Sequence, residues 1–141
     1  MSEPERIEAA KGLFAETAEG PRLLGSRCAT CRTPYFPRSE ACHNPDCAHS
    51  AMEDARFGPR GRLRSIALQN YPPPAPTIAP EPYHPYGVGL VDMPEGLRVI
   101  GRLVSDEPER VEVGSEVELV LAPLGHDAEG REVISWQWKP L

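Results

Sequence analysis

Four cysteines, Cys28, Cys31, Cys42 and Cys47, fall within twenty residues, and the 141-residue chain has no others. Their order is C-x₂-C, ten residues, then C-x₄-C. A thiolate pair this close grips one face of a tetrahedral ion, and a second pair closes the other face. Soft, all-sulfur, four-coordinate surroundings favour Zn²⁺, and a filled shell leaves no position for a water nucleophile. The strongest chemical signal in the sequence is therefore assigned to folding rather than catalysis. Iron in a similar shell, a redox pair and a disulfide are the competing readings, and four cysteines allow three pairings. His43 and His49 flank Cys47 and offer a substitute for one sulfur.

Other reactive groups are sparse. No Ser-His-Asp order, Walker-type phosphate loop or glycine-rich dinucleotide turn is present. The metal accounts for every cysteine, so no thiol remains for acyl transfer. His84 lies in a proline-rich stretch and His126 in the polar turn Gly125-His126-Asp127. Lone loop histidines of this kind are read as solvated side chains. Asp92 and Glu95 sit beside a tight hairpin, where acidic residues serve turns. No catalytic residue is assigned.

The elements that must position the cysteines follow from patterning. Over residues 3–18, Ile7, Ala10, Leu13 and Phe14 recur at three-to-four spacing before Gly20-Pro21, which predicts an N-terminal helical segment over 1–21. Residues 22–56 form the predicted zinc ribbon, too short to bury a core of its own. Metal affinity, about 10–16 kcal/mol in small zinc modules, replaces that core.

From Phe57 to the C-terminus the pattern is of strands. These are Leu63–Leu68, Tyr86–Leu90, Leu97–Val104 after the Met93-Pro94-Glu95-Gly96 turn, Val117–Leu121, and Val133–Trp138. Five short strands without intervening helices predict a small barrel, nearest to the five-stranded OB-fold. The predicted fold class is thus mainly β: helix, rubredoxin-like ribbon, then barrel over 57–141. Residues 71–85 contain seven prolines. This loop is expected to be extended, stiff and suited to docking, since proline lowers the entropy cost of ordering on contact.

Charge is unevenly spread. Residues 22–64 carry eight arginines against four acids, while residues 65–141 carry five basic and twelve acidic side chains within a net charge of −6. The acidic barrel opposes phosphate attraction and so disfavours nucleic acid. Trp136 and Trp138, at i and i+2, are either stacking platforms or large apolar residues closing a barrel or an interface. No apolar run is long enough to cross a bilayer, and the start MSEPERIEAAKGLF lacks the pattern of a leader. A cytoplasmic location with reduced thiols is expected, which suits metal better than disulfides.

The series L-L-G-S-R-C-A-T-C, P-Y-F-P-R (Pro34–Arg38), C-H-N-P-D-C, G-P-R-G-R-L-R-S (Gly58–Ser65), the hairpin V-D-M-P-E-G-L-R-V-I-G-R-L-V and the ending W-Q-W-K-P resembles a known family. That family is the zinc-ribbon plus OB-fold, acyl-CoA-associated proteins once grouped as a domain of unknown function. The resemblance runs from about Leu23 to the C-terminus. It departs in the second knuckle, C-x₄-C where many members have C-x₂-C, which loosens a turn but leaves four sulfurs.

The resemblance implies a non-catalytic accessory subunit working with a thiolase-superfamily protein on a CoA ester. Small subunits of steroid side-chain aldolases and of benzoylsuccinyl-CoA-type thiolases are the nearest analogies, and in both the large partner bears the carbon–carbon cleavage. Arg60, Arg62 and Arg64 are the candidates for the phosphates of CoA, since arginine forks suit phosphate and the three alternate along one strand. Arg38 and Arg98 are further candidates. The alternative reading is a stand-alone OB-fold module for single-stranded nucleic acid or an acyl carrier.

Overall fold

The structure, a computed structural model, describes residues 5–74, 77–80 and 82–141. Ten strands make two sheets. The ribbon sheet holds β2 (Phe14–Thr17), β3 (Gly20–Cys28), β4 (Pro34–Tyr35) and β5 (Met52–Phe57), with β3 pairing antiparallel to the other three. The second sheet holds β1 (Arg6–Glu8), β6 (Arg60–Gln69), β7 (Tyr86–Asp92), β8 (Arg98–Leu103), β9 (Glu116–His126) and β10 (Glu132–Pro140).

The order β10-β8-β7-β6-β9 closes on itself because β9 also pairs with β10. The β8–β10 step is parallel and the other four are antiparallel. This is a closed five-stranded barrel, and all five expected strands are in it. The only helical element among the described residues is one 3₁₀ turn, Pro108–Arg110.

The N-terminal helix expected over 3–18 is not formed, and its Glu3 and Pro4 lie outside the described residues. Instead β1 adds in parallel to β10, with Ile7 opposite Val133. The chain then turns at Gly12, where φ is +79°, and β2 pairs back on β3. Short helices owe most of their stability to tertiary burial of an apolar face. Here Ile7 and Phe14 find separate partners, β10 for one and the core under the ribbon for the other. Gly20-Pro21 accordingly begins a strand rather than ending a helix.

Ribbon and barrel share one core. Phe14, Leu23 and Phe57 of the ribbon sheet cluster with Leu63, Val91, Val99, Leu103, Val117, Leu119 and Trp138 of the barrel. Trp138 is completely buried, and Gly101 on β8 makes its space: a Cβ there would stand 2.8 Å from the indole. Trp136, two residues earlier on β10, sits at the junction. Its ring meets Phe14 and Phe36 edge-on at centroid distances of 6.1 and 5.5 Å, and its indole N–H donates to the Ile100 carbonyl at 3.0 Å. A ribbon that cannot bury a core alone thus borrows the barrel's.

The proline-rich loop joins β6 to β7 at the barrel end opposite the ribbon; its Ala75, Pro76 and Glu81 lie outside the described residues. Arg102 holds the middle of the loop. Its guanidinium donates to the carbonyls of Ile78 (2.7 Å) and Leu124 (2.9 Å) and stacks 4.0 Å over the Tyr86 ring. Seen from the barrel, the loop is a brace as well as an extended arm.

Candidate metal centre

Two turns bring the four cysteines together. The first follows β3: Arg32 donates its N–H to the Cys28 carbonyl, Cys28 donates to Thr33, and Arg32 adopts a left-handed φ of 69° to close the knuckle. The second is the Asn44–Cys47 turn, in which Cys47 N–H donates to the Asn44 carbonyl and the Asn44 side chain accepts from Asp46 N–H.

The four Sγ atoms all lie within 4.8 Å of one another. Cys28 and Cys47 are 3.7 Å apart, and Cys31 and Cys42 are 3.5 Å apart. A Zn–S bond of about 2.3 Å gives a tetrahedron edge of about 3.8 Å, so the sulfurs stand close to where a zinc ion needs them. A disulfide requires about 2.05 Å, and no pair of these cysteines is bonded. Histidine does not enter the cluster: His43 Nε2 lies 3.2 Å from Ser39 Oγ, and His49 offers only its carbonyl to Cys47.

Polar neighbours orient the sulfurs. Tyr35 accepts the His43 N–H at 2.8 Å, which leaves its own proton for Cys42 Sγ at 3.4 Å. Thr33 likewise accepts from Asn44 Nδ2 at 3.1 Å and faces Cys31 Sγ at 3.1 Å. The Cys28 thiol is drawn from 9.0 down to about 6, first by the backbone N–H of Cys31. Cys31 is also lowered, first by the Thr33 hydroxyl. At Cys47 the backbone at His49 acts to lower the value, but burial and the three neighbouring sulfurs outweigh it and push the thiol up to about 12. Four thiolates this close oppose one another's ionisation, and a divalent cation at their centre removes the conflict. The donor set therefore fits a structural ion. Tyr35, Thr33 and Asn44 were not singled out by spacing; the sequence signals were the P-Y-F-P-R run containing Tyr35 and the C-H-N-P-D-C run containing Asn44.

The arginines named for CoA lie on the outer surface at the start of β6. Arg62 donates to the Gly114 carbonyl at 2.8 Å and lies 3.6 Å from Glu116. Arg64, at a bulge between Leu63 and Ser65, reaches Asp92 at 3.2 Å, and Asp92 also takes Arg98 at 2.9 Å. Arg60 is exposed and has no ion pair among the described residues. Arg60 and Arg62 line a cleft of about 380 Å³ with Asp92, Met93 and Pro94. Arg38 pairs with Asp54 on the ribbon, away from this cleft.

His84 is exposed in the loop and His126 exposed at the end of β9. Asp92 serves the two arginines, and Glu95 reaches from the hairpin to accept the Gly58 N–H at 2.8 Å. Trp138 is sealed in the core, and Trp136 is half-buried, its ring against Phe14 and Phe36. Among the described residues no helix is long and apolar enough to cross a membrane.

Two family models match the chain, the ChsH2 rubredoxin-like zinc ribbon domain over residues 18–53 and the ChsH2 C-terminal OB-fold domain over residues 55–122. A DUF35 domain-containing scaffold protein of Methanothermobacter thermautotrophicus is 33% identical over 118 residues, covering 83% of this chain and 84% of the relative. The benzoylsuccinyl-CoA thiolase subunit BbsA of Thauera aromatica is 29% identical over 131 residues, covering 92% and 85%. Among solved structures, the Ltp2-ChsH2(DUF35) aldolase matches with a TM-score of 0.63 and 28% identity over 84% of each chain.

Proposed function

The chain belongs to the ChsH2-like family of DUF35 scaffold proteins, and on that premise we propose that it is the non-catalytic accessory subunit of a heteromeric thiolase-superfamily enzyme. The large partner would cleave a carbon–carbon bond in a CoA ester, by retro-aldol or thiolytic chemistry. The observation that carries this reading is the match of ribbon and barrel together, over more than four-fifths of the chain, to proteins named as a thiolase subunit and an aldolase.

The geometry supports it. All four cysteines converge on one saturated site, so none is free as a nucleophile. The ion proposed for that site is Zn²⁺, held by Cys28, Cys31, Cys42 and Cys47, and its chemistry when bound is structural: it ties two turns that have no core of their own. Arg60 is the arginine of its group best placed to meet a CoA phosphate, with Arg62 and Arg64 already engaged by acids. We place the protein in the cytoplasm. The single-strand-binding alternative loses its two aromatic platforms, since Trp136 and Trp138 face the ribbon and the core.

Co-expression with thiolase-superfamily proteins of the same genome tests the reading. A stable heteromeric complex on size exclusion is expected. A partner that is soluble, monodisperse and fully active alone, and that never co-elutes with this chain, overturns it.

A further inference from the structure

The loop between β6 and β7 divides into two parts with opposite relations to the barrel. Ile78, Ala79 and Pro80 are partly buried, with Arg102 bonded to the Ile78 carbonyl. Tyr71, Pro72 and Pro74 are exposed, and Tyr71 keeps 80% of its surface in water, the most of any large apolar side chain of the described residues. Leu68, at the end of β6, is also exposed, at 43%.

Tyr71 is nevertheless not loose. Its carbonyl accepts from Gln69 Nε2 at 2.7 Å and from the Tyr83 hydroxyl at 2.9 Å, and the same hydroxyl reaches the Gln69 carbonyl. Three prolines follow it directly, each fixing its own φ. Two side chains and a proline run thus fix the backbone under a ring that touches little. A free aromatic with a fixed root has already met much of the ordering cost of binding, and aromatic anchors of this kind dominate protein interfaces.

The surroundings select the kind of occupant. Residues 65–97 contain no lysine or arginine. A nucleic acid or an anionic membrane would be held by cations beside the aromatic; this stretch supplies none, and Arg102, which touches the loop, is engaged by the Ile78 and Leu124 carbonyls and the Tyr86 ring. Stiff proline segments with an apolar anchor are instead taken up by grooves on folded proteins.

We propose that Leu68 and Tyr71–Pro74 form the docking anchor for the thiolase-superfamily subunit, with the Tyr71 ring entering an apolar pocket on it. The proposal rests on the accessory-subunit reading and adds where contact is made: at the barrel end opposite the metal centre.

The test uses the full chain and, as probe, a purified thiolase-superfamily protein of the same genome that co-elutes with it, with binding measured by calorimetry. Tyr71→Ala and Leu68→Ser are compared with Val113→Ala, an apolar residue of exposure between theirs (60%) beside the start of β6. Unchanged zinc content and Trp136 emission verify that each variant is folded. Tyr71→Ala is expected to weaken binding at least about tenfold, and Val113→Ala less than about twofold. Wild-type binding with Tyr71→Ala and Leu68→Ser both within twofold overturns the anchor and leaves the accessory reading standing. No co-elution with or binding by the wild-type chain overturns that reading, and the anchor with it.

Discussion

Replacing Trp136 by alanine tests how ribbon and barrel are joined. The substitution removes a half-buried indole that meets Phe14 at 6.1 Å and Phe36 at 5.5 Å, both from the ribbon side. It also removes the N–H that satisfies the Ile100 carbonyl on β8. Buried Trp→Ala changes cost about 3–5 kcal/mol, and partial exposure places this one near about 3 kcal/mol. Of that, the lost hydrogen bond accounts for about 1 kcal/mol, so Trp136→Phe should cost about 1–2 kcal/mol. Against a typical total of about 5–15 kcal/mol the alanine loss is large. It corresponds to a fall of roughly 10 °C in Tm for a chain of this length.

The shape of the transition is as informative as its midpoint. A shared core makes the zinc-loaded wild type unfold in one step in urea. Trp136→Ala should separate ribbon and barrel into two steps while zinc content stays unchanged, because no cysteine contact is touched. A single step with a loss below about 1 kcal/mol would show that the two parts are joined elsewhere, and would refute the junction assigned to Trp136.

Other outcomes follow from the same geometry. Cys28→Ser or Cys42→Ser should release zinc and melt the ribbon, read by metal analysis and near-ultraviolet circular dichroism; a metal-free protein of unchanged stability would contradict the structural role. The Cys28 thiol is lowered from 9.0 to about 6, so its contribution is fully present above 9.0 and is lost as pH falls through about 6. Zinc affinity, read by competition with a chelator, should fall steadily as pH is lowered through 8 and 7, because binding displaces the proton held by Cys47, and more steeply below about pH 6, where Cys28 also protonates. Arg102→Ala should free the middle of the proline loop at a cost of about 1.5–3 kcal/mol for charged hydrogen bonds, with hydrogen exchange rising at residues 77–79. Oligonucleotides at low salt should leave tryptophan emission unchanged, since Trp138 is buried and Trp136 packs edge-on against Phe14 and Phe36; micromolar, salt-dependent quenching would restore the nucleic-acid reading.

The cysteine site was legible because its chemistry is local: spacing alone places four sulfurs on two turns. The barrel was legible because alternation in segments such as Tyr86–Leu90 and Leu97–Val104 marks strands with one buried face. The N-terminus was misread because Ile7, Ala10, Leu13 and Phe14 fit a helical period, while the deciding partners, Val133 and Trp136, lie more than a hundred residues away. Gly12 within that window was the available warning. Long-range geometry hid the rest. Nothing in the sequence sets Arg102 beneath Ile78, aims the Tyr35 hydroxyl at Cys42, or divides Trp136 from Trp138 into a junction and a core residue. The arginine triplet shows the same limit: alternation put Arg60, Arg62 and Arg64 on one surface, but only the fold brings Glu116 and Asp92 against two of them.

The accessory role is tested most directly by the rate of CoA-ester cleavage by a thiolase-superfamily protein of the same genome, purified alone and then with this zinc-loaded chain added in equal amount. The account predicts little activity alone and a rate that rises to a plateau at a fixed stoichiometry. An equal rate with and without the chain would contradict it.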